Sequence, residues 1–222
     1  MLDKYILMKS VILTLELFLA NNGQFKNLQN LKNTGIKKME AEKNNEIAIF
    51  AGGCFWCTEA VFLQLEGVES VLPGYIGGKE ANPTYEEVCS GYSGHAEAVK
   101  IVFDPNKISF EDLMEIFFAT HDPTTINRQG ADVGSQYRSE IFYTTENQMV
   151  KAKLYIENLN IQNTFGKKVV TKISSATQFF VAENYHLNYY NQNKEKSYCS
   201  YVITPKIEKV NKEFKEKLKK QL

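Results

Sequence analysis

The hydrophobic and polar positions between residues 46 and 205 repeat with two different periods. Short apolar or β-branched runs that end at Gly, Pro or Asp are typical of strands. We predict five such strands: Ile47–Phe50, Val68–Tyr75, Ala96–Phe103, Ile141–Tyr143 and Val169–Ile173.

Other segments carry apolar residues at helical spacing. The first runs from Cys54 to Leu65, and the second follows Ser109, a candidate N-cap. Thr145-x-x-Gln148 is a capping-box pattern for a helix that runs to about Asn160. We also predict a helix over 182–190. Strands and helices mix without strict alternation, which favours a two-layer α+β sandwich.

A long polar segment from His121 to Ser139 interrupts this pattern. Loops of this length in compact domains are usually functional or disordered. Beyond Lys206 the chain is rich in Lys and Glu, and we expect a solvated helix in this charged tail, residues 206–222.

The first 45 residues differ from the rest and are expected to form an N-terminal extension. The apolar run Val11–Ala20 follows Lys4 and Lys9 and resembles the core of a signal peptide. Glu16 interrupts the run and no clear cleavage site follows, so we favour a cytoplasmic protein over an exported one. A start at Met8 would give a more regular signal.

Composition excludes several classes of protein. Lys plus Arg and Asp plus Glu number 26 each, so no net field attracts nucleic acid or a membrane surface. The hydrophobic fraction of 43% is ordinary for a globular domain. Four cysteines in 222 residues are too few for a disulfide-stapled scaffold and indicate cysteine chemistry.

The strongest local motif is Gly52-Gly-Cys-Phe-Trp-Cys57, between a predicted strand and a predicted helix. The positive end of a helix dipole and its unpaired N–H groups stabilise a thiolate. We therefore expect the pKa of Cys54 to fall and its nucleophilicity to rise. The two glycines allow a sharp turn that leaves the sulfur accessible.

The Cys-x-x-Cys spacing alone also fits other functions. A thiol–disulfide oxidoreductase would use Cys54 and Cys57 without further polar residues. A zinc site needs two more ligands, and Cys89, Cys199 and the three scattered histidines offer no second close pair. A metal- or peptide-binding module without enzymatic activity is a further alternative. Cys54 could also be an ordinary buried core residue. We expect no metal.

Several further motifs resemble the peptide methionine sulfoxide reductase A family. The resemblance covers about residues 46–205, which we take as the catalytic domain. Its segments occur in order at family spacing: Gly-Cys-Phe-Trp at 53–56, Gly-Tyr-Ile-Gly-Gly at 74–78, Asn-Pro-Thr-Tyr-Glu-Glu-Val-Cys-Ser-Gly at 82–91, Gly-His-Ala-Glu-Ala at 94–98, His-Asp-Pro-Thr at 121–124, Gln-Gly-Ala-Asp-Val-Gly-Ser-Gln-Tyr-Arg-Ser at 129–139 and Ala-Glu-Asn-Tyr-His at 182–186.

This resemblance implies a role for each matching residue. Cys54 corresponds to the cysteine that attacks the sulfoxide, and Phe55 and Trp56 to the hydrophobic pocket for the substrate methyl group. The positions that hydrogen-bond the sulfoxide oxygen are Tyr85, Glu97 and Tyr137, and Asp132 helps to position them. Among these, a carboxylic acid kept protonated by an apolar pocket can supply the proton that the leaving oxygen needs.

The cysteine that resolves the sulfenic acid on Cys54 stays open. Many family members have glycine where Cys57 stands and use a C-terminal cysteine. Cys199 lies in a polar stretch that we expect to be mobile, whereas the helix constrains Cys57. We favour Cys199 slightly. Cys89, His95 and His186 are expected to be structural.

The family implies a complete reaction. The S epimer of methionine sulfoxide, free or in oxidised peptides and proteins, is reduced to methionine. A Cys54 sulfenic acid is then resolved as a disulfide and recycled by thioredoxin or dithiothreitol, without a bound cofactor. The expected fold is a two-layer α/β sandwich with a mixed sheet, a ferredoxin-like core and long irregular loops, and we expect a monomer.

Overall fold

The computed structural model describes residues 44–220, which are built around a mixed β-sheet. In chain order the strands are β1 (Glu46–Gly52), β2 (Val68–Ile76), β3 (Ala96–Phe103), β4 (Arg128–Gln129), β5 (Asp132–Val133), β6 (Ser139–Tyr143), β7 (Lys172–Ser175) and β8 (Phe180–Val181). Six of them form one sheet in the order β7-β6-β1-β3-β2-β8, while β4 and β5 form a separate hairpin. Strands β6 and β7 are parallel, and the other neighbouring pairs of the sheet are antiparallel.

The helices are unequal in length. They are α1 (Phe55–Leu63), α2 (Tyr85–Cys89), α3 (Phe110–Thr120), α4 (Glu146–Ile161), α5 (Tyr189–Gln192) and α6 (Thr204–Glu213). A π-helical turn, Cys199–Ile203, runs directly into α6, and short 3-10 turns cover Ser135–Tyr137, Asn184–His186 and Lys215–Lys217.

The succession β1-α1-β2-β3-α3-β6 forms the centre of the fold. These four strands lie in the spatial order β6-β1-β3-β2 and are all antiparallel to their neighbours within that set. This is the βαββαβ arrangement of a ferredoxin-like core. The predicted α+β sandwich with a mixed sheet is therefore confirmed.

Local sequence explains where the long helices begin. Ser109 is the N-cap of α3 and forms a reciprocal capping box with Asp112. Thr145 accepts a hydrogen bond from Gln148 N–H at the start of α4. The side chain of Gln148 bonds instead to Thr144 and to the carbonyl of Ile47, so it ties α4 to β1.

The period of two along β3 decides which residues reach the helical layer. Val99, Ile101 and Phe103 belong to the main core, which contains α1 and α3, whereas Ala96 and Ala98 belong to a smaller cluster with Phe142. Glu97 lies on the same face of the strand as Val99, and its carboxyl group accepts a hydrogen bond from the start of α1. A single strand therefore contributes both core residues and a buried acid.

The predicted helix over 182–190 is wrong. The segment forms a 3-10 turn, Asn184–His186, followed by Asn188 in the left-handed region with φ of 51° and then by the short α5. The backbone departs from a helix because its side chains are anchored elsewhere: Glu183 and His186 bond to residues of β2, α1 and α2.

The charged tail also differs from expectation over its first half. Val210 and Phe214 are buried in the core, and α6 packs against α1 and α3. Lys217 forms an ion pair with Asp112 of α3 at 2.8 Å. The predicted helix is therefore present as α6, but one apolar face of it packs in the core, so the helix is only partly solvated.

The expected N-terminal extension, residues 1–45, lies outside the described residues except for its last two positions. The signal-like run and the choice between cytoplasm and export therefore stay predictions. Within residues 44–220, no helix has both the length and the apolar character needed to cross a membrane.

Candidate active site

The site begins at the junction between β1 and α1. Gly53 has φ of +93°, a conformation that favours glycine, and a Cβ there would lie 2.4 Å from Cγ of Gln129. The turn places Cys54 at the N-cap of α1 and Cys57 one turn on, with Cys57 N–H donating to Cys54 O at 3.1 Å. The two sulfurs are thus held on one side of the helix start.

Both thiols are buried and free, with 8% of Cys54 and 3% of Cys57 exposed. Burial, the hydrogen bond to Cys57 and the charge of Glu97 raise the pKa of Cys54 well above its ordinary value. The hydrogen bond from Cys54 lowers the pKa of Cys57 to about 7 against the opposing effect of burial. The pair therefore carries its first negative charge on Cys57.

Two predictions about Cys54 are wrong. The residue is buried, whereas we expected an accessible sulfur, and its pKa is raised, whereas we expected it to fall. Cys54 is the N-cap of α1, but its side chain makes no capping hydrogen bond. Phe55 N–H, the first N–H group of the helix, donates instead to Oε2 of Glu97 at 3.0 Å. The helix dipole alone predicts a lower pKa for Cys54, but it takes no account of Glu97 on β3, whose charge raises that pKa.

Glu97 is the buried acid of the site, with 1% exposure. Desolvation raises its pKa to about 8, although the hydrogen bond from Phe55 N–H opposes this and the charge of Asp132 adds to it. A carboxyl group with this pKa is largely protonated at neutral pH and can donate a proton.

Tyr85 and Tyr137 come from different elements, and both lie near Glu97. Tyr85 begins α2, where Thr84 forms a complete capping box, and Tyr137 ends the 3-10 turn after β5. Burial raises the pKa of both phenols, and the charge of Glu97 raises it further. Both therefore stay neutral O–H donors near the acid.

Trp56 is held by the C-terminal part of the chain. Its indole stacks on Tyr189 with ring centroids 3.7 Å apart and planes 6° apart. Its Nε1–H donates to Nδ1 of the buried His186 at 3.0 Å. Phe55 is 1% exposed and packs against Tyr85 and His186, so Trp56, which is half-buried, is the more accessible of the two pocket aromatics.

Glu183 connects three parts of this aromatic cluster and was not identified from the sequence. Its Oε2 accepts from Tyr75 Oη at 2.7 Å, and its Oε1 accepts from Tyr85 N–H at 2.9 Å. Nε2 of His186 lies 3.7 Å from Oε2 of Glu183. The Ala-Glu-Asn-Tyr-His motif was the available signal, because it follows a strand and carries two ionisable residues.

Tyr198 was also missed, and it contacts the cysteine pair from the C-terminal part of the chain. Its Oη donates to Oδ2 of Asp132 at 2.6 Å and lies 3.8 Å from Sγ of Cys57. Its ring meets Trp56 edge-on at 6.1 Å. Asp132 is therefore hydrogen-bonded to Tyr198, and its charge also acts on Glu97 and Tyr137.

Cys199 does not lie on an exposed segment. It is completely buried in the main core, at the start of the π-helical turn that continues into α6. Burial raises the pKa of its thiol. The sequence argument that favoured Cys199 over Cys57 expected an exposed, mobile segment, and the burial of Cys199 does not support it; the identity of the resolving cysteine stays a prediction.

Cys89 lies at the end of α2, one turn from Tyr85, with which it shares a hydrogen bond. Its backbone carbonyl accepts from the buried Gln136. Within residues 44–220, no group of three or more His, Cys, Asp and Glu side chains could hold a metal ion.

A dithiol at a helix start, beside a buried acid and two phenols, defines the class of the protein as a cysteine-dependent redox enzyme. The model of the family "Peptide methionine sulfoxide reductase" matches residues 46–218. The peptide methionine sulfoxide reductase MsrA of Deinococcus radiodurans is 50% identical over 201 residues, which cover 90% of this chain and 98% of that protein. The MsrA of Sulfolobus acidocaldarius is 54% identical over 172 residues, 78% of this chain and 97% of that protein.

Solved structures agree with the sequence relatives. Reduced Mxr1 from Saccharomyces cerevisiae superposes with a TM-score of 0.64 at 31% identity, covering 70% of this chain and 89% of that one. Methionine sulfoxide reductase A of Corynebacterium diphtheriae gives 0.64 at 31% identity, covering 69% and 77%. The chain belongs to the peptide methionine sulfoxide reductase family, and it is an oxidoreductase of methionine sulfoxide.

Proposed function

We propose that this protein reduces the S epimer of methionine sulfoxide, free or in peptides and proteins, with Cys54 as the nucleophile. The observation that carries the proposal is Glu97, a buried acid with a pKa of about 8 that is hydrogen-bonded to the helix start next to Cys54. Membership of the family supports the choice of epimer.

In the first step, Sγ of Cys54 attacks the sulfoxide sulfur and the S–O bond breaks. The oxygen and a proton from Glu97 end on Cys54 as a sulfenic acid, and methionine leaves after gaining two electrons. Tyr85 and Tyr137 orient the oxygen as charge develops on it. The Cys57 thiolate, to which Cys54 is hydrogen-bonded, can take the Cys54 proton.

In the second step, we propose that Cys57 attacks the sulfenic acid. A Cys54–Cys57 disulfide forms and water leaves, so the atoms of the two thiols and the sulfoxide oxygen balance. Cys57 is favoured over Cys199 because it contacts Cys54, has a pKa of about 7 and needs no rearrangement of the core. Reduced thioredoxin, or dithiothreitol in vitro, then restores both thiols.

The proposal is tested with the purified protein, dithiothreitol and each epimer of peptide methionine sulfoxide, with methionine as the measured product. We expect the S epimer to be reduced and the R epimer to remain. Cys54→Ser should abolish the reaction, since a hydroxyl cannot supply the soft, ionisable nucleophile.

Two results would contradict the proposal. One is near wild-type turnover by Cys54→Ser. The other is reduction of a disulfide such as oxidised glutathione without reduction of either sulfoxide, which would make the protein a general thiol–disulfide oxidoreductase.

A further inference from the structure

The hydroxyl of Tyr198 lies between Cys57 and Asp132. It donates to Oδ2 of Asp132 at 2.6 Å and lies 3.8 Å from Sγ of Cys57. A phenol has one O–H hydrogen, and here the carboxylate takes it. The lone pairs of the same oxygen therefore accept from the thiol of Cys57 whenever that thiol is protonated.

The phenol is held in this position by its surroundings. The ring meets the edge of Trp56, and the following residue, Cys199, is buried in the core. Burial, with the adjacent negative charges of the cysteine pair and Asp132, raises the pKa of Tyr198 far above its ordinary value. Tyr198 therefore stays neutral and can pass on a proton only by accepting one as it donates another.

The second step of the proposed reaction requires a route by which the thiol proton of Cys57 can leave. Cys57 must lose its proton to attack the sulfenic acid, and the first step leaves it protonated if it takes the proton of Cys54. The groups that face Cys57 are Cys54, Tyr198, Asp132, Glu97, the cation Lys206 and, from the π-helical turn, Cys199. Of the two carboxyl groups in this set, Glu97 is buried, whereas Asp132 is partly exposed and is hydrogen-bonded to Tyr198, which contacts Cys57.

We propose that Tyr198 relays the thiol proton of Cys57 to the carboxylate of Asp132 while the Cys54–Cys57 disulfide forms. The inference rests on the proposed function. The Cys57 S–H bond and the Tyr198 O–H bond break as a new Tyr198 O–H bond and an Asp132 O–H bond form. The S–O bond of the sulfenic acid breaks, its hydroxide takes a proton from solvent and leaves as water, and Asp132 returns its proton to solvent. Cys57 sulfur is oxidised and Cys54 sulfur is reduced by the same electron pair.

The test is Tyr198→Phe, which keeps the ring against Trp56 and removes the hydroxyl. The full chain is mixed with excess S-epimer sulfoxide without a reductant, and methionine and disulfide are measured separately by quenched flow and mass spectrometry. At neutral pH we expect disulfide formation to slow by about 10- to 100-fold, more than methionine formation changes. The difference should shrink above about pH 8, where most of the Cys57 thiol, whose pKa is about 7, is already ionised without the relay.

The matched control is Tyr190→Phe. It removes a hydroxyl that bonds Thr204 at 3.0 Å in the same part of the chain, and it should leave disulfide formation at the wild-type rate. Equal disulfide rates for Tyr198→Phe and wild type would overturn the proposal. So would a loss of the same size at every pH, because a structural defect does not depend on the charge of the thiol.

A second measurement does not depend on sulfoxide reduction. In a Cys54→Ser background, alkylation of Cys57 by iodoacetamide is followed against pH with and without Tyr198→Phe. We expect half-maximal alkylation about one pH unit higher without the hydroxyl, because the O–H of Tyr198 can turn from Asp132 to the Cys57 thiolate once the thiol has ionised, and this hydrogen bond lowers the pKa of Cys57. An unchanged profile contradicts the proton path even if sulfoxide is reduced. A shifted profile in a protein that forms no methionine leaves the path standing and rejects the proposed function.

Discussion

The two sides of the active site are built in different ways. One side consists of regular elements, since Cys54 and Cys57 stand at the start of α1 and Glu97 in the middle of β3. The other side is the C-terminal segment 182–203, an irregular chain whose polar and aromatic side chains reach over the first: Glu183, His186, Tyr189 and Tyr198. Main-chain hydrogen bonds position the first side, whereas side-chain hydrogen bonds position the second.

This difference separates two tasks. The regular side holds the reacting sulfur of Cys54 and the acid Glu97. The register of the sheet and the position of the helix start fix where these two groups lie relative to each other. The C-terminal segment shapes the pocket around Trp56 and contacts Cys57 through Tyr198. We therefore expect substitutions of Cys54 and Glu97 to affect the chemical step, and substitutions on the C-terminal side to affect substrate binding and the proton transfer during resolution.

The largest effect is expected for Glu97→Gln on the regular side. Loss of the acid should slow methionine formation by about 100- to 10,000-fold. Alkylation of Cys54 should not slow, because the charge of Glu97 raises the pKa of that thiol. In the wild type, methionine formation should fall as pH rises through about 8, where Glu97 loses its proton.

Single-turnover rates and iodoacetamide alkylation measure the two effects. Glu86→Gln, an exposed change on α2, is the matched control and should behave as wild type. A parallel loss of alkylation and reduction in Glu97→Gln would mean that Glu97 serves the cysteine or the fold instead of the substrate.

The next effect compares Cys57 with Cys199. Cys57→Ser should keep a single stoichiometric reduction but lower thioredoxin-driven turnover by at least about tenfold, because the sulfenic acid lacks its partner. Cys199→Ser should still form the Cys54–Cys57 disulfide, which mass spectrometry of a digest detects. A Cys54–Cys199 disulfide would contradict this prediction. It would mean that segment 182–203 leaves its packing during turnover and takes part in the chemistry.

A smaller effect is expected for His186, which positions Trp56. His186→Phe leaves the indole N–H without its acceptor, at a cost of about 1–3 kcal/mol. We expect KM for the sulfoxide to rise about three- to tenfold, with a smaller change in kcat. Because Trp56 is the single tryptophan, its fluorescence reports the pocket directly.

His186→Gln offers an acceptor again and should recover part of the affinity and of the emission spectrum. Tyr185→Phe is the control, since this exposed ring packs against His186 without contacting Trp56. Unchanged KM and emission in His186→Phe would show that stacking on Tyr189 alone holds the indole.

The smallest effect concerns Glu59, which joins the two sides. Its Oε1 accepts from Asn188 N–H at 2.7 Å, and its Oε2 is buried without a hydrogen-bond partner. Burial raises its pKa to about 7. The folded state therefore favours the protonated acid, so this contribution to stability is complete below the unfolded pKa near 4.5 and is lost as pH rises through about 7.

Glu59→Gln keeps the acceptor and removes the charge. Relative to wild type, we expect its free energy of unfolding to gain roughly 1–3 kcal/mol between about pH 5 and pH 8, measured by urea titration at both values. A difference that does not change with pH would place the Glu59 charge in solvent in the folded state.

Local sequence determined a large part of this protein. Alternation marked Ala96–Phe103, which is the observed β3, and Ser109 marked the start of α3 because a capping box needs only neighbouring residues. Gly53 and Cys54 identified the strand–helix turn for the same reason, since a positive φ is a local property of the chain. The resemblance to a family then assigned Glu97 and Tyr85 to the site.

The tertiary structure decided what distant residues do to one another. Glu97 meets Phe55 across 42 positions, His186 meets Trp56 across 130, and Tyr198 meets Cys57 across 141. The helix dipole predicted a low pKa for Cys54, but burial and the Glu97 carboxylate reverse it. Desolvation and side-chain contacts depend on which surfaces pack together, and no local pattern contains that information.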